Sequence, residues 1–253
     1  MIRELISLDR VRAACGDDDL LMWGAQGLTG GARAWALGDA VVAAAPGVAR
    51  RDRLTVWGGV PDAVELVRHA LAEVGPSFRL LGGAGLVAEV TPKVGGLEAG
   101  PVFSWMSLPG GSFVRGGGGR SGDAAGAGGV GWLGPEEDGE VAALLREAAP
   151  GSYAVPGGAG VRRWAGLRVE GRLVAVAADA WSAPSVGLVA GVATAVSSRG
   201  RGLAERVCRW VSGELVAAHG RVALMVDDDN PSAIGVYVRI GYGRAPVMVS
   251  RVR

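Results

Sequence analysis

The chain of 253 residues reads as a mixed α/β protein in two halves, and three observations lead there. Hydrophobic residues at 49% and charged residues at 20% are enough to build a substantial core. Apolar residues recur at period two in some segments and at helical spacing in others. Between positions 110 and 131, 11 of 22 residues are glycine, a composition that buries too little apolar surface to offset its ordering entropy. That stretch is expected to be a linker over 110–127, separating a small α/β domain (1–109) from a second domain (128–253).

In the first half, Arg33 to Ala45 and Arg53 to Trp57 read as strands. Pro61-Asp62 opens a helix carrying Val64, Leu66-Val67, Leu71 and Val74 on one face. Phe78 to Leu81 and Val102 to Leu108 are further strands. Gly83-Ala84-Gly85-Leu86-Val87-Ala88 imitates a dinucleotide fingerprint, but Pro92 and Gly95-Gly96 are expected to interrupt the helix that motif needs, and no acidic residue follows near Phe103 to Pro109. A plain glycine turn is the expectation.

In the second half, Pro135 to Glu147 reads as a helix, and Arg163 to Glu170 with Leu173 to Trp181 as a hairpin about Gly171-Arg172. Leu188 to Thr194 is an apolar strand. Leu203 to Ala218 is a helix with Leu203, Val207, Val211 and Leu215 in one stripe and Gly220 as its C-cap. Val222 to Val226, Pro231 to Ile240 and Pro246 to Val252 complete a strand–helix–strand sequence.

Twenty-six Lys+Arg against 25 Asp+Glu give a net charge of +1, so bulk charge favours neither nucleic acid nor an anionic membrane as partner. Two cysteines, Cys15 and Cys208, do not make a disulfide framework. The opening MIRELISLDR has no apolar signal core, and no stretch is long enough to span a bilayer. A soluble cytoplasmic protein is expected. Neither His69 nor His219 has metal-ligand spacing around it, so no metal is expected.

The informative stretch is Val192-Ala193-Thr194 followed by Ser197-Ser198-Arg199-Gly200-Arg201-Gly202-Leu203-Ala204. A strand ends, a Ser/Arg/Gly turn follows, and a helix starts at once. The first turn of such a helix has unpaired N–H groups and the positive end of the macrodipole. Gly200 and Gly202 let the backbone approach an anion, and Arg199 and Arg201 can add charge-assisted bonds or stand as solvated cations.

Arg199-x-x-Gly202-x-Ala204, with Asn230-Pro231-Ser232-Ala233, Tyr237 and Gly241-Tyr242 downstream, closely resembles the acetyl-CoA-binding motifs of the GNAT superfamily of N-acetyltransferases over residues 128–253. The resemblance implies a mostly antiparallel sheet flanked by helices, and acetyl transfer from acetyl-CoA to a primary amine by direct attack on the thioester. Val192, Ala193 and Thr194 would pair with the pantetheine arm. Gly200, Arg201, Gly202, Leu203, Ala204 and Glu205 would supply amides to the pyrophosphate, with Arg199 as a side-chain contact. Asn230 would meet the pantetheine and Tyr237 would protonate the departing thiolate. Asn230 is equally a good N-cap and Tyr237 a core aromatic.

The sequence departs from the superfamily where many members carry a carboxylate five residues before the asparagine. Met225 stands there. Asp227, two positions on and so on the same strand face, is the first candidate base, and Asp179 the second. The other reading is a CoA-binding or interaction module that has lost catalysis. The acceptor is expected to be a small-molecule or peptide amine. The first half resembles a degenerate copy of the same domain, suited to shaping the acceptor site or a homodimer contact.

Overall fold

A single mixed sheet of twelve strands organises the chain in the computed structural model, which describes residues 1–112 and 129–253. Most of the expected glycine linker therefore lies outside the described residues.

In chain order the first half runs β1 (Arg3–Glu4), α1 (Leu8–Cys15), α2 (Asp19–Gly24), β2 (Arg33–Leu37), β3 (Ala40–Val48), β4 (Arg51–Trp57), α3 (Val60–Val74), β5 (Arg79–Gly83), α4 (Ala84–Val94) and β6 (Leu97–Pro109). The second runs β7 (Val130–Trp132), α5 (Asp138–Ala148), β8 (Val161–Val169), β9 (Arg172–Ala180), β10 (Gly187–Thr194), α6 (Leu203–His219), β11 (Arg221–Val226), α7 (Pro231–Ile240) and β12 (Gly243–Val252).

Two expectations are corrected. The apolar run from Arg33 to Ala45 is a hairpin of β2 and β3, not one strand, because Gly38 takes a positive φ of 51° and reverses the chain. The glycine turn at 83–88 is also overturned, since α4 starts at Ala84 and carries Pro92 inside it. Proline that near a helix C-terminus removes one intrahelical donor and leaves the preceding turns intact. Thr91 Oγ1 donates to the Val87 carbonyl at 2.6 Å within that last stretch.

The strand order is β1-β2-β3-β4-β5-β12-β6-β11-β10-β9-β8-β7. Replacing each strand by the one six places away reverses this order without altering it, so the two halves repeat one topology about a pseudo-two-fold axis. At the centre they interleave. β12, the last strand of the second half, lies between β5 and β6, and β6 lies between β12 and β11. Only β4–β5 and β10–β11 pair in parallel, at equivalent places in the two halves.

Strand alternation sends residues to two faces. One carries α1, α2 and α5 over Ala34, Ala43, Leu81, Trp105, Trp164 and Ala178. The other carries α3 with α4, and α6 with α7, over their own apolar clusters. Ser104 of β6, fully buried, receives the Nε of Arg244 (2.6 Å) and donates to Asp228 (2.5 Å). One residue from the first half and two from the second are thus tied together at the pseudo-axis.

Candidate active site

The site begins with a failure of pairing. β10 and β11 are hydrogen-bonded in parallel only at Gly187↔Val222 and Leu188↔Ala223. Beyond Leu188 they diverge, so the flank of β10 from Val189 to Thr194 faces a cleft whose far wall is the end of β11. β10 stays attached to β9 on its other side, with a register shift between Ala190 and Ala193. Gly191 sits in that bulge at a φ of +62°, where an L side chain is disfavoured. A Cβ there would stand 2.8 Å from Trp164 Cζ3 and 3.1 Å from Ala154 Cβ, so only glycine lets these groups close on the strand. The sequence signal for such a bulge is an isolated glycine within a strand, here Gly191.

Of the strand residues singled out from the sequence, Ala193 is buried in the core, while Val192 and Thr194 are half-buried at the cleft. The Thr194 Oγ1 is buried without a hydrogen-bond partner among the described residues. An unpaired polar group of that kind costs on the order of 1–3 kcal/mol until something meets it.

A short 3-10 turn over Val196–Ser198 leads to Arg199, Gly200, Arg201 and Gly202. Gly200 and Gly202 both have positive φ, 75° and 72°, and no atom lies within 4 Å of where either Cβ would be. Gly202 is the N-cap of α6 and offers no side-chain cap, so the first amides of α6, from Leu203 to Glu205, have no hydrogen-bond partner among the described residues. Arg199 is exposed, its Nη2 donating to the Ala148 carbonyl at the end of α5 (3.0 Å) and its Nε to the Thr194 carbonyl (3.4 Å). It braces the turn against α5, whereas Arg201 is exposed at the turn's rim. Glu205 does not oppose an anion here, because Arg239 (2.8 Å) and Arg209 (3.1 Å) bond its carboxylate and hold its pKa below the ordinary value.

α7 closes the cleft. Asn230 caps it, accepting from the Ala233 amide at 3.1 Å, so its capping role is realised. Half-buried Val226, Ala233 and Ile234 make the wall apolar. Tyr237 is 6% exposed, its ring 5.9 Å from that of Tyr242, and burial raises its pKa well above that of a free phenol. Its hydroxyl has no hydrogen-bond partner among the described residues. Tyr242 instead shares a 2.8 Å bond with Ser212. Cys208 is fully enclosed, its thiol pushed up to about 12 by burial, which suits packing and not nucleophilic attack.

The two candidate bases differ in setting. Asp227 is exposed directly after β11, its backbone carbonyl accepting from the Asn230 amide at 3.1 Å. Asp179 is 2% exposed, bonded by Arg163 Nε (3.2 Å) and Ser182 Oγ (2.6 Å), and Ser182 in turn accepts from the Leu188 amide. It is built into the β9–β10 connection. Met225 lies half-buried on the face that Asp227 shares, packed against the α1/α2/α5 core.

The equivalent place in the first half is shut. β4 and β5 pair at four successive positions, Arg53–Val56 with Arg79–Gly82. The Gly59 amide before α3 is already bonded by the Asp39 carboxylate at 3.2 Å. A zipped pair of strands and an anion at the helix start leave neither a slot nor a phosphate cradle.

Among the described residues, no three His, Cys, Asp or Glu side chains gather to hold a metal, and no helix is long and apolar enough to cross a membrane.

Residues 165–250 match the FR47-like protein family. A GCN5-related N-acetyltransferase from Sphaerobacter thermophilus is 15% identical with a TM-score of 0.56, over 100% of this chain and 96% of that one. Another GCN5-related N-acetyltransferase, from Kribbella flavida, is 19% identical with a TM-score of 0.55, over 85% of this chain and 86% of that one. An acetyltransferase of the GNAT family from Colwellia psychrerythraea is 13% identical with a TM-score of 0.53, over 99% of this chain and 98% of that one. No curated protein matches the sequence.

Proposed function

Since the chain carries the GNAT fold, with residues 165–250 matching FR47-like proteins, we propose that it is an acyl-CoA-dependent N-acyltransferase that moves acetyl to a primary amine. The observation that supports this most is the cleft between β10 and β11, opening at Leu188 and ending at the uncapped start of α6. The cosubstrate brings an activated thioester; binding, orienting and proton handling fall to the chain.

The unpaired flank of β10 suits the amides of a pantetheine arm, which would lie as an added strand from Val192 to Thr194. The Thr194 hydroxyl and Asn230 are polar groups within that path. The pyrophosphate suits the amides from Gly200 to Glu205 and the positive end of the α6 dipole. A β10 amide aimed into the cleft would stabilise negative charge building on the thioester oxygen. Arg199 acts through the turn it braces, while Arg201 is placed to reach a phosphate oxygen.

Tyr237 keeps its proton at neutral pH because burial disfavours the phenolate. Its O–H can therefore donate a hydrogen bond to the departing thiolate, whose thiol has an ordinary pKa of ~8.5, below that of the buried phenol, so the thiolate leaves with little acid help. Asp227, exposed at the mouth, is the group to take the proton from the incoming amine, directly or through water. The buried, twice-bonded Asp179 is poorly placed for that task.

The test is release of CoA thiol from acetyl-CoA across a panel of primary amines. Tyr237→Phe should lower kcat about 10- to 100-fold with little change in the KM for acetyl-CoA. Tight acetyl-CoA binding without turnover on any amine would favour a non-catalytic module.

A further inference from the structure

We propose that the acceptor amine carries an oxyanion, a carboxylate or a phosphate, seated on the guanidinium of Arg53 with Arg79 beside it, on the sheet face reached from the acyl-transfer cleft. The inference rests on the acyltransferase reading and adds the chemical class of its acceptor.

Arg53 is 6% exposed in the middle of a sheet. Its strand neighbour Leu54 belongs to the α3/α4 face, and its cross-strand partner Ala45 to the opposite core, so Arg53 points to the face of α1, α2 and α5. Its Nε is anchored on the Val48 carbonyl at 3.3 Å. Among the described residues the two Nη groups have no hydrogen-bond partner, and neither is sealed from solvent. Arg79 is its register partner on β5 and Arg51 precedes it on β4. The groups that act on its charge are Arg79, Arg51 and Tyr153, with no carboxylate among them. Burial first, then the two arginines, pull the guanidinium down to about 10. A buried cation without a counter-ion is costly to a fold. A planar fork with free N–H groups in such a setting is suited to bidentate recognition of an oxyanion.

The loop over residues 149–160 connects this cluster to the chemistry. Ala154, 1% exposed, packs on the Gly191 bulge of β10. The preceding residue, Tyr153, is 56% exposed and close enough to Arg53 to act on its charge. From β11 to Arg53 on β4 the strand order is β11-β6-β12-β5-β4, four spacings, or about 19 Å at ~4.8 Å each. The end of β11 at Val226 stands level with Pro246 of β12, and Arg79 one residue beyond Ser250, about 16 Å further along the strands, so the path over the sheet is about 25 Å. The floor between is apolar, with half-buried Met225, Phe103 and Val249 on this face. A free α-amino acid is too short for that separation. The acceptor that fits is elongated, with its amine at one end and its anion at the other, as in a short peptide.

The experiment measures CoA release by the full chain with acetyl-CoA and glycine, triglycine or the octapeptide GSGSGSGS, each as free carboxylate and as C-terminal amide. The heptapeptide GSGSGSG joined to aminoethyl phosphate, against its ethanolamide, covers the phosphate source. The long anionic acceptors should exceed their neutral counterparts at least 10-fold in kcat/KM, through KM, and glycine should show no such preference. Arg53→Gln should erase that preference and leave the KM for acetyl-CoA unchanged; Arg53→Lys should keep part of it. Binding gives a second readout that needs no turnover: N-acetyl-GSGSGSGS or the peptidyl aminoethyl phosphate should raise the Tm of the wild type and not of Arg53→Gln. That variant should itself melt no lower than the wild type, since it removes an unpaired buried charge. Neutral amines used as well as anionic ones, a preference that survives Arg53→Gln, or no Arg53-dependent Tm rise with either anion would each overturn the inference. Absence of acetyl-CoA binding would sink the acyltransferase reading instead, and the anion-dependent Tm shift would still decide this one.

Discussion

Gly191→Ala tests whether the bulge of β10 is held open for the reason given. An alanine at a φ of +62° costs ~1–2 kcal/mol in backbone strain. Its Cβ would also press on Trp164 Cζ3 at 2.8 Å and on Ala154 Cβ at 3.1 Å. Trp164 is only 3% exposed and has no room to retreat, so overpacking adds ~1–3 kcal/mol. The sum is about 2–5 kcal/mol, a fall in Tm of roughly 4–20 °C for a chain of this size. Gly200→Ala is the internal control. Its φ is +75° but nothing lies within 4 Å, so only the strain remains, ~1–2 kcal/mol. Urea denaturation of both variants, with Trp164→Leu alone and combined with Gly191→Ala, completes a double-mutant cycle. The overpacking share should reappear as ~1 kcal/mol or more of coupling. Equal losses for the two glycine variants, or zero coupling to Trp164, would refute the account of the bulge.

The remaining predictions concern charge. Gly202→Glu places a carboxylate at the uncapped start of α6, and at ~4 Å from a phosphate the repulsion is ~1–4 kcal/mol; calorimetry should show acetyl-CoA affinity falling about 10-fold or more, with Gly202→Asn nearly neutral because asparagine tolerates positive φ. Glu205 and Asp228 are held below their ordinary pKa values by side-chain hydrogen bonds, from Arg239 and Arg209 in the first case and from Ser104 and Arg244 in the second. Their stabilisation is complete above the ordinary carboxylate range and is lost as pH falls through the lowered values, so Tm should decline below about pH 4. In Asp228→Asn that decline should be shallower.

Local patterns were legible wherever a rule of short range decides the structure. Pro231 to Ile240 is a helix over the predicted span, because Asn230 caps it, Pro231 fits its first turn and Gly241 ends it. α6 likewise stops at Gly220 in the left-handed region. α4 is not legible in the sequence because a proline usually breaks a helix, whereas Pro92 sits near the helix end, where the lost donor is tolerable. The interleaving of β6 and β12 was out of reach, since period-two alternation names a face and never a partner. The same limit hid the cleft: the apolar run Leu188 to Thr194 does not reveal that its pairing with β11 ends after Leu188. Of the candidate site residues, the turn from Gly200 to Gly202 has the open geometry its composition suggested, whereas the bracing bond of Arg199 depends on the distant Ala148 carbonyl. Arg53 carried no sequence signal, because its isolation from carboxylates exists only after folding.

Amide hydrogen exchange with and without acetyl-CoA tests the central claim most directly. Protection should rise over Val189–Thr194 and over Gly200–Arg206, the two stretches that border the cleft, and stay unchanged over Arg51–Trp57 and Gly58–Gly59 in the closed first half. Protection confined to the first half, or none on β10 at saturating acetyl-CoA, would contradict the account.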